Sequence, residues 1–191
     1  MADSTVVERI IDLILELDVL EKLPRMGFLL QGVTDPESVA AHCFGVALTA
    51  MLMADAMEEE EVDAERVLRM ALLHEVSEAK VTDLPYRALR YIDPQTKSRA
   101  ERAVVHDLLG PMNEAYASLW EEFEAAETLE ARIVRAADKV QMMAKVLRYE
   151  REGRGNLADF WVNVEFNEND WGIPLARALF EEIRRRHKGD R

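Results

Sequence analysis

The chain has 191 residues, which is enough for one domain with a substantial buried core. Hydrophobic residues make up 49% of the sequence and charged residues 32%, a balance typical of globular rather than disordered proteins. The formal net charge of -13 argues against a nucleic-acid polymer or an anionic membrane surface as a partner, because both bind basic surfaces.

Apolar residues recur at helical spacing along the chain, and no segment shows the sustained period of two that strands require. The first predicted helix covers residues 4–20, and residues 23–35 are predicted to be irregular because proline and glycine interrupt them. The sequence DPES that follows is typical of a helix start, and a second helix is predicted to run to about residue 57. A third helix is predicted from its capping residue, Asp63, to about residue 80.

The second half of the chain is also predicted to be helical. Helices are expected over residues 94–109, 113–125 and 128–148, with Thr128 as the N-cap of the last of these. Glycines then break the chain, and the final helices are expected over residues 157–164 and 174–186. The whole pattern predicts an all-α fold.

The sequence also indicates where the protein acts. Cys43 is the single cysteine, so an intramolecular disulfide is impossible, which suits a reducing cytoplasm. No apolar run approaches the roughly 20 residues of a membrane helix. The first residues, MADSTVVERI, contain acids and no basic region, so we expect no signal peptide and a cytoplasmic protein.

Polar residues on apolar helix faces are the feature that points to chemistry. His74 and Glu78 are four residues apart, so they are expected on one face of the third helix, among Val, Met and Ala. Glu75 is next to His74, about 100° around the helix. His42 lies beside the apolar stripe of the second helix, and Asp138 lies in the mostly apolar run IVRAADKVQMMAKVL.

Burying these side chains is costly unless something compensates their polarity and charge. Two imidazoles and two carboxylates from three helices would be compensated if they bound a metal ion. Mixed nitrogen and oxygen ligands suit Mn, Co, Fe, Ni or Zn better than Ca or Mg. Spacing alone leaves a second interpretation open, in which His42 and His74 are satisfied core histidines and Asp138 is a local cap or ion-pair partner.

Four segments, in a fixed order, resemble a known family: PRMGF, DPESVAAH, ALLHEVSEAKVTDLP and VRAADKVQ. With the early histidine, the His-acid pair about thirty residues later and the distant aspartate, they resemble the HD superfamily, in particular its 5'-deoxynucleotidase branch. The resemblance covers roughly residues 5–150, with C-terminal helices following at about 156–188. It implies that residues 1–191 form a single-domain HD-type helical bundle.

By this resemblance, one divalent transition metal ion is bound by four side chains: His42, His74, Glu75 and Asp138. The family takes its name from a His-Asp pair, whereas this chain has His74-Glu75. Glutamate is one methylene longer, but its carboxylate can still bind a metal at about 2.0–2.2 Å. The substitution leaves the identity of the metal open.

The resemblance also implies which residues surround the substrate. Glu78 matches the catalytic acid, which would orient a water or handle its proton, and Asp83 matches a second acid that would protonate or position the leaving 5'-oxygen. Arg25 matches an arginine that reaches the nucleotide phosphate, and Phe28 takes the place of an aromatic residue near the sugar or base. The expected reaction is metal-dependent hydrolysis of a deoxyribonucleoside 5'-monophosphate by direct attack of water.

Other functions stay open at this point. The same site could cleave a dNTP, a cyclic nucleotide or a pyrophosphate, although longer polyphosphates would need more cations than the region of Arg25 offers. The chain could instead be a non-catalytic nucleotide-binding or regulatory module, against which the presence of Glu78 and Asp83 argues. A helical interaction protein without metal is a third alternative.

Two histidines are given no catalytic role. His106-Asp107 is a literal His-Asp pair, but no second histidine or distant aspartate lies at the right separation, so it is expected on the surface. His187 lies in the basic end RRRHK, where cations suit a helix C-terminus.

The partners implied are a small nucleotide and a second copy of the chain, with no nucleic-acid polymer and no membrane. A homodimer is expected from the resemblance and because closed twofold dimers are common. Trp161, Trp171 and Phe180 could lie at such an interface or could equally close the core.

Overall fold

Helices make up the regular structure of the residues that the computed structural model describes, which are 4–57, 60–163 and 167–189. In chain order the α-helices are α1 (Ser4–Leu17), α2 (Val19–Lys22), α3 (Met26–Leu29), α4 (Val39–Asp55), α5 (Ala64–Leu73), α6 (Glu78–Val81), α7 (Pro94–Leu109), α8 (Glu114–Ala125), α9 (Leu129–Arg151), α10 (Ala158–Val162) and α11 (Pro174–Gly189). A 3-10 turn covers Ala88–Arg90, and Pro24 and Ser38 form an isolated antiparallel bridge. The described ranges contain no strand, so the predicted all-α fold is confirmed. None of their helices is both long enough and apolar enough to span a membrane.

Side-chain caps explain where the long helices begin. In each case a side-chain oxygen accepts a hydrogen bond from a backbone N–H of the first turn. The capping residues are Ser38, Asp63, Asp93, Asn113 and Thr128. The predicted helices at 94–109 and 113–125 agree with α7 and α8 to within about one residue, whereas α9 ends at Arg151 rather than at residue 148.

The long helices α4 and α9 organise the core. α4 packs against both α5 and α9, α8 packs against the same two helices, and α11 packs against α9. The main cluster of buried apolar side chains draws on all five helices and includes Val46, Val67, Phe123, Val140 and Phe180. Trp161 and Trp171 are partly buried against this cluster. These two tryptophans and Phe180 therefore contact the core of their own chain.

The predicted continuous helix over residues 63–80 is wrong, because the chain leaves the helix after Leu73 and resumes one at Glu78. The carbonyl oxygen of His74 accepts a hydrogen bond from the indole N–H of Trp120 at 3.3 Å, which satisfies this oxygen where the helix ends. The N–H of Glu78 donates instead to the carbonyl of Glu75, three residues earlier. The interruption turns His74 and Glu75 toward α4 and α9.

Other boundaries also differ from the prediction. The first helix is interrupted at Asp18, and the irregular stretch 23–35 contains the one-turn helix α3. The helix predicted at 157–164 is α10, and residue 164 lies outside the described residues.

Candidate metal centre and active site

Helices distant in sequence bring the four predicted metal ligands to one place. His42 projects from α4, Asp138 from α9, and His74 and Glu75 from the turn between α5 and α6. Nε2 of His42 lies 3.2 Å from Oδ1 of Asp138 and 3.8 Å from Oε1 of Glu75. Nε2 of His74 lies 3.8 Å from the same glutamate oxygen. Potential ligand atoms of the two histidines and Glu75 lie within 4.8 Å of one another, close enough to share one ion.

The hydrogen bonds of both histidines fit metal binding. Nδ1 of His74 lies 2.7 Å from the carbonyl oxygen of Ala71, and Nδ1 of His42 lies 2.8 Å from Oε1 of Gln141. Since a carbonyl oxygen only accepts, Nδ1 of each ring is the donor, and in the neutral form of either ring the lone pair lies on Nε2. Both Nε2 atoms are buried without a hydrogen-bond partner among the described residues. Unsatisfied nitrogens beside two carboxylates are the arrangement that a divalent cation would satisfy.

The charges of the site agree with this donor set. Burial lowers the pKa of His74, which favours the neutral form of its ring. Burial acts to raise the pKa of Glu75, but the neighbouring His74 and Arg25 hold that pKa below its ordinary value. The charge of Lys139 likewise overcomes burial and holds the pKa of Asp138 well below its usual range. Neutral imidazole and anionic carboxylate are the forms that bind metals.

Arg25 and two further acids lie at the edge of this centre. Nη1 of Arg25 lies 3.2 Å from Oε1 of Glu75, 3.4 Å from Oδ1 of Asp83 and 4.0 Å from Oε1 of Glu78. Burial, together with the charges of Glu75 and Asp83, raises the pKa of Glu78 to about 10. Glu78 is therefore protonated at neutral pH in the metal-free protein, whereas Arg25 stays cationic.

Backbone geometry places Asp83 in this group. α6 ends at Thr82, whose φ of 65° turns the chain sharply. Oδ2 of Asp83 then accepts a short hydrogen bond from the backbone N–H of Met26. The backbone N–H of Arg25 donates to the carbonyl of Glu37 at 3.0 Å, which ties the segment before α3 to the segment before α4. These bonds set the distance from Arg25 to the acids.

A family model for the HD domain matches residues 17–170 of the chain. The chain belongs to the HD-domain family. The resemblance predicted from the sequence segments is thereby confirmed, and the helical bundle described above is an HD-type bundle.

Individual proteins are similar over most of their length. The 5'-deoxynucleotidase HDDC2 of Xenopus laevis is 34% identical over 172 residues, covering 85% of this chain and 82% of the relative. The 5'-deoxynucleotidase hdd1 of Schizosaccharomyces pombe is 31% identical over 148 residues, covering 73% of each chain. Among solved structures, a conserved hypothetical protein from Pyrococcus furiosus has a TM-score of 0.80 at 39% identity, covering 92% of this chain and 99% of that one. A protein from Magnetospirillum magnetotacticum, described as a predicted metal-dependent phosphohydrolase, has a TM-score of 0.70 at 25% identity, covering 95% and 94%.

The metal centre of this HD-domain protein opens into a cavity of about 1040 Å³. Six of the eight predicted site residues line it: Arg25, His74, Glu75, Glu78, Asp83 and Asp138. Aromatic side chains line other parts, among them Tyr86, Trp120 and Phe160. The cavity is large enough for a nucleotide-sized ligand.

The structure does not bring Phe28 together with the other predicted site residues. Its ring is 2% exposed and does not line the cavity. It stacks behind Phe160, with ring centroids 5.3 Å apart, and meets the ring of Tyr149 edge-on. Phe160, which sequence reasoning missed, is the ring of this stacked pair that lines the cavity. The only sequence signal for it was its place in the predicted helix at 157–164.

The two histidines without a predicted role lie beside carboxylates elsewhere on the chain. Nε2 of His106 lies 3.1 Å from Glu121, and its Nδ1 lies 3.3 Å from Glu114. Nδ1 of His187 lies 2.9 Å from Glu150, and its ring stacks on Trp161. Neither of these histidines lines the cavity that holds the metal centre.

Proposed function

We propose that this HD-domain protein is a metal-dependent phosphohydrolase that releases phosphate from deoxyribonucleoside 5'-monophosphates. One observation carries the proposal: buried donors suited to one divalent ion open into a cavity beside a cation and two further acids. The name 5'-deoxynucleotidase of the relatives from Xenopus laevis and Schizosaccharomyces pombe supports the substrate class.

The proposed ligands of the ion are the four residues of the metal centre: His42, His74, Glu75 and Asp138. Bound there, the ion supplies Lewis acidity at the phosphate and lowers the pKa of a water molecule. The nitrogen and oxygen donor set favours Mn, Co, Fe, Ni or Zn over Ca and Mg. Arg25 faces the same side of the cavity, where its guanidinium offsets phosphate charge through paired N–H donors.

Hydrolysis requires one group that gives a proton to the leaving 5'-oxygen and one that takes a proton from the attacking water. Glu78 suits the first role, because it holds a proton at neutral pH and its Oε2 has no hydrogen-bond partner among the described residues. Asp83 suits the second, because its carboxylate accepts hydrogen bonds from Arg25 and Met26. This assignment exchanges the two roles that the sequence resemblance implied.

The cavity also bears on the alternative substrates. Five further cations line it beyond Arg25: Arg87, Arg90, Lys97, Arg135 and Lys139. Among the described residues, all of these except Arg90 have a carboxylate within 4.0 Å, in the pairs with Asp159, Glu101, Glu124 and Asp138. Cations already neutralised in this way offer less to a triphosphate, so a monophosphate is the favoured substrate.

The test is phosphate release from nucleoside mono-, di- and triphosphates, using protein stripped of metal and resupplied with Mn, Co, Zn or Mg. Glu78→Gln removes the proposed proton donor, and Glu101→Gln is its matched control, because Glu101 is a buried acid of the same cavity outside the proposed machinery. We expect metal-dependent release from deoxynucleoside monophosphates, lost in Glu78→Gln and kept in Glu101→Gln. Release from a different phosphate ester would overturn the substrate, and release without metal would overturn the mechanism.

We also propose that the chain forms a homodimer through an apolar surface on α1, α4 and α5. Its exposed side chains are Val7, Ile10, Ile11, Ile14, Leu15, Phe44, Leu48, Leu52 and Leu72. α4 has no Asp, Glu, Lys or Arg before its last residue, and a helix apolar on all sides is normally buried on all sides. Yet Phe44 is 70% exposed and Leu52 57% exposed.

The extent of this surface suits a second copy of the chain. Leu17 of α1 packs against the apolar cluster that contains Cys43 of α4, and Leu13 of α1 packs against the same cluster as Leu73 of α5. Side chains of this size and exposure present on the order of 700 Å² together, close to the roughly 800 Å² that each partner contributes to a standard interface. The patch is also larger than a monomer usually exposes.

Light scattering coupled to size exclusion tests the dimer. A Phe44→Glu, Leu48→Glu double variant is expected to give a folded monomer. Tyr91→Glu, which changes a 90% exposed aromatic residue outside the surface, is expected to stay dimeric. A monomeric wild type, or a dimer that survives the double variant, would contradict the proposed interface.

The compartment proposed is the cytoplasm. Cys43, the single cysteine of the sequence, is free and buried in α4. A free thiol in the core supports a protein that works under reducing conditions. Fractionation of source cells with an antibody against the protein checks this, and recovery from an oxidising compartment would contradict it.

A further inference from the structure

A buried chain of hydrogen bonds leads away from the metal centre behind His42. Oε1 of Gln141 lies 2.8 Å from Nδ1 of His42, and Nε2 of Gln141 donates to Oε2 of Glu37 at 3.1 Å. Nζ of Lys145 lies 3.0 Å from the same glutamate oxygen. The side chains of His42 and Glu37 are 0% and 4% exposed, and Gln141 is 8% exposed as a residue. No step of the proposed reaction uses Gln141, Glu37 or Lys145.

This chain determines which nitrogen of His42 carries the proton. The carboxylate of Glu37 accepts only, so the amide of Gln141 must present its NH₂ group to it and its oxygen to the imidazole. An oxygen facing Nδ1 requires a hydrogen on that nitrogen. The lone pair of the neutral ring then lies on Nε2, which points to Asp138 and Glu75.

Gly45 provides the space that the amide occupies. It lies in α4, three residues after His42, at an interior helix position where glycine is destabilising relative to alanine. A Cβ added at this position would lie 2.8 Å from Nε2 and 3.0 Å from Cγ of Gln141. Contacts this short would displace the glutamine side chain. The observed position of the Gln141 amide therefore requires glycine at position 45.

We propose that Gln141 is a positioning residue that holds His42 in the Nδ1–H tautomer, with Glu37 orienting the amide and Gly45 leaving room for it. This inference rests on the proposed metal site. Without Gln141, His42 has a competing arrangement available, because an Nε2–H would donate to Oδ1 of Asp138, which lies 3.2 Å away. In that tautomer Nε2 carries a hydrogen and has no lone pair with which to bind a metal. Gln141 therefore favours the Nδ1–H tautomer over the Nε2–H tautomer.

The first test reads the tautomer directly in metal-free protein. Long-range ¹⁵N–¹H NMR correlations distinguish the two neutral forms of an imidazole. We expect the Nδ1–H form in wild type, and a shift to the Nε2–H form in Gln141→Met, which keeps the side-chain length and removes the amide. Gly45→Ala is expected to produce the same shift. An unchanged tautomer in Gln141→Met would overturn the proposal, whether or not the protein binds metal.

The second test measures metal affinity by competition with a chelator, using Co²⁺ as the probe. Gln141→Met is expected to weaken binding by about 10- to 100-fold, the usual effect of losing a partner of a ligand histidine. Met143→Ala, a core change on the same helix, is the control for lost stability and should leave the affinity unchanged. Equal losses in the two variants would show a merely structural role and overturn the proposal.

A rescue variant sharpens the result. Glu37→Gln combined with Gln141→Glu exchanges the amide and the carboxylate without changing the net charge. The new carboxylate can accept from Nδ1 of His42, and the new amide can donate to it. Both the Nδ1–H tautomer and most of the affinity should return. If the wild type bound no Co²⁺, the proposed metal site would fail, while the NMR measurement would still decide the role of Gln141.

Discussion

Nε2 of His42 lies 3.2 Å from Oδ1 of Asp138, although the other ring nitrogen is the one that donates a hydrogen bond, to Gln141. In the neutral ring this contact brings a nitrogen lone pair against a carboxylate oxygen, both buried and without a proton between them. Two such acceptors repel unless a cation lies near them. The contact is therefore a property of the metal-free site that a bound ion would relieve.

Metal addition is therefore expected to stabilise the protein, by about 2.7 kcal/mol when the free metal is at 100 times its Kd. Thermal unfolding of stripped protein, with and without Mn, Co or Zn, measures this increase. Asp138→Asn should lose most of it, because the amide replaces an anionic ligand. His106→Gln is the matched control and should keep the full increase, since His106 pairs with surface acids. A metal-induced stabilisation that Asp138→Asn retains would place the ion elsewhere.

The thiol of Cys43 is expected to be unreactive in the folded protein. Burial raises the pKa of this thiol, and the charge of Glu75 raises it further, so the reactive thiolate is scarce at neutral pH. Labelling with a chromogenic disulfide should be at least about 100-fold slower in native protein than in denaturant. A Tyr91→Cys variant, with a thiol at a 90% exposed position, should label one site rapidly under native conditions. Rapid labelling of native wild type would contradict the buried position.

The parts of the site carried by long helices could be predicted from sequence, and the parts created by tertiary contacts could not. His42 and Asp138 lie on helices that the sequence predicts from the spacing of their apolar residues and from their N-terminal start signals. The turn that presents His74 includes a contact with Trp120, whose indole N–H donates to the carbonyl oxygen of His74 where the helix ends. Helical periodicity contains no information about such a contact, so the prediction extended the helix to residue 80.

The aromatic wall shows the same limit. Phe28 lies in a segment with a family resemblance, whereas Phe160 lies in the C-terminal part that the resemblance did not cover. The stacking of these two rings buries the first and leaves the second on the cavity. The packing of α10 over α3 decides which of the two stacked rings faces the cavity. Neither the segment around Phe28 nor the segment around Phe160 specifies that packing by itself.

Glu78→Gln is expected to remove activity and, in metal-free protein, to increase stability at alkaline pH. Folded Glu78 keeps its proton up to about pH 10, whereas the unfolded chain releases it near the ordinary value of 4.5. The contribution of Glu78 to the free energy of unfolding of wild type therefore falls as pH rises from about 5 toward 10. The amide of the Gln variant does not titrate, so the variant does not show this loss. At pH 8 the variant should be more stable by an amount on the order of 5 kcal/mol, with a much smaller difference near pH 5.

Urea unfolding of metal-free protein at several pH values measures this difference. Glu122→Gln is the comparison of opposite sign, because the hydrogen bond from Arg66 lowers the pKa of Glu122. That variant should lose a little stability above pH 5 rather than gain it. A Glu78→Gln variant that is less stable than wild type at pH 8 would show that Glu78 is ionised in the fold.

Arg25→Met is expected to destabilise metal-free protein strongly and to abolish phosphate release. The side chain of Arg25 is 15% exposed and lies within 4.0 Å of three acids: Glu75, Glu78 and Asp83. Removing the cation leaves buried negative charge uncompensated, at a cost of about 3–5 kcal/mol. A bound divalent ion would replace part of that charge, so the loss should be smaller in metal-loaded protein.

Two companion variants separate charge compensation from catalysis. Asp83→Asn added to Arg25→Met removes one of the uncompensated acids, so it should recover part of the stability without recovering activity. Arg66→Met removes an arginine whose side chain is 46% exposed and should cost about 1 kcal/mol or less. Unfolding free energies from denaturant titration, with and without metal, give the comparison. Equal losses for Arg25→Met and Arg66→Met would contradict the buried-charge argument.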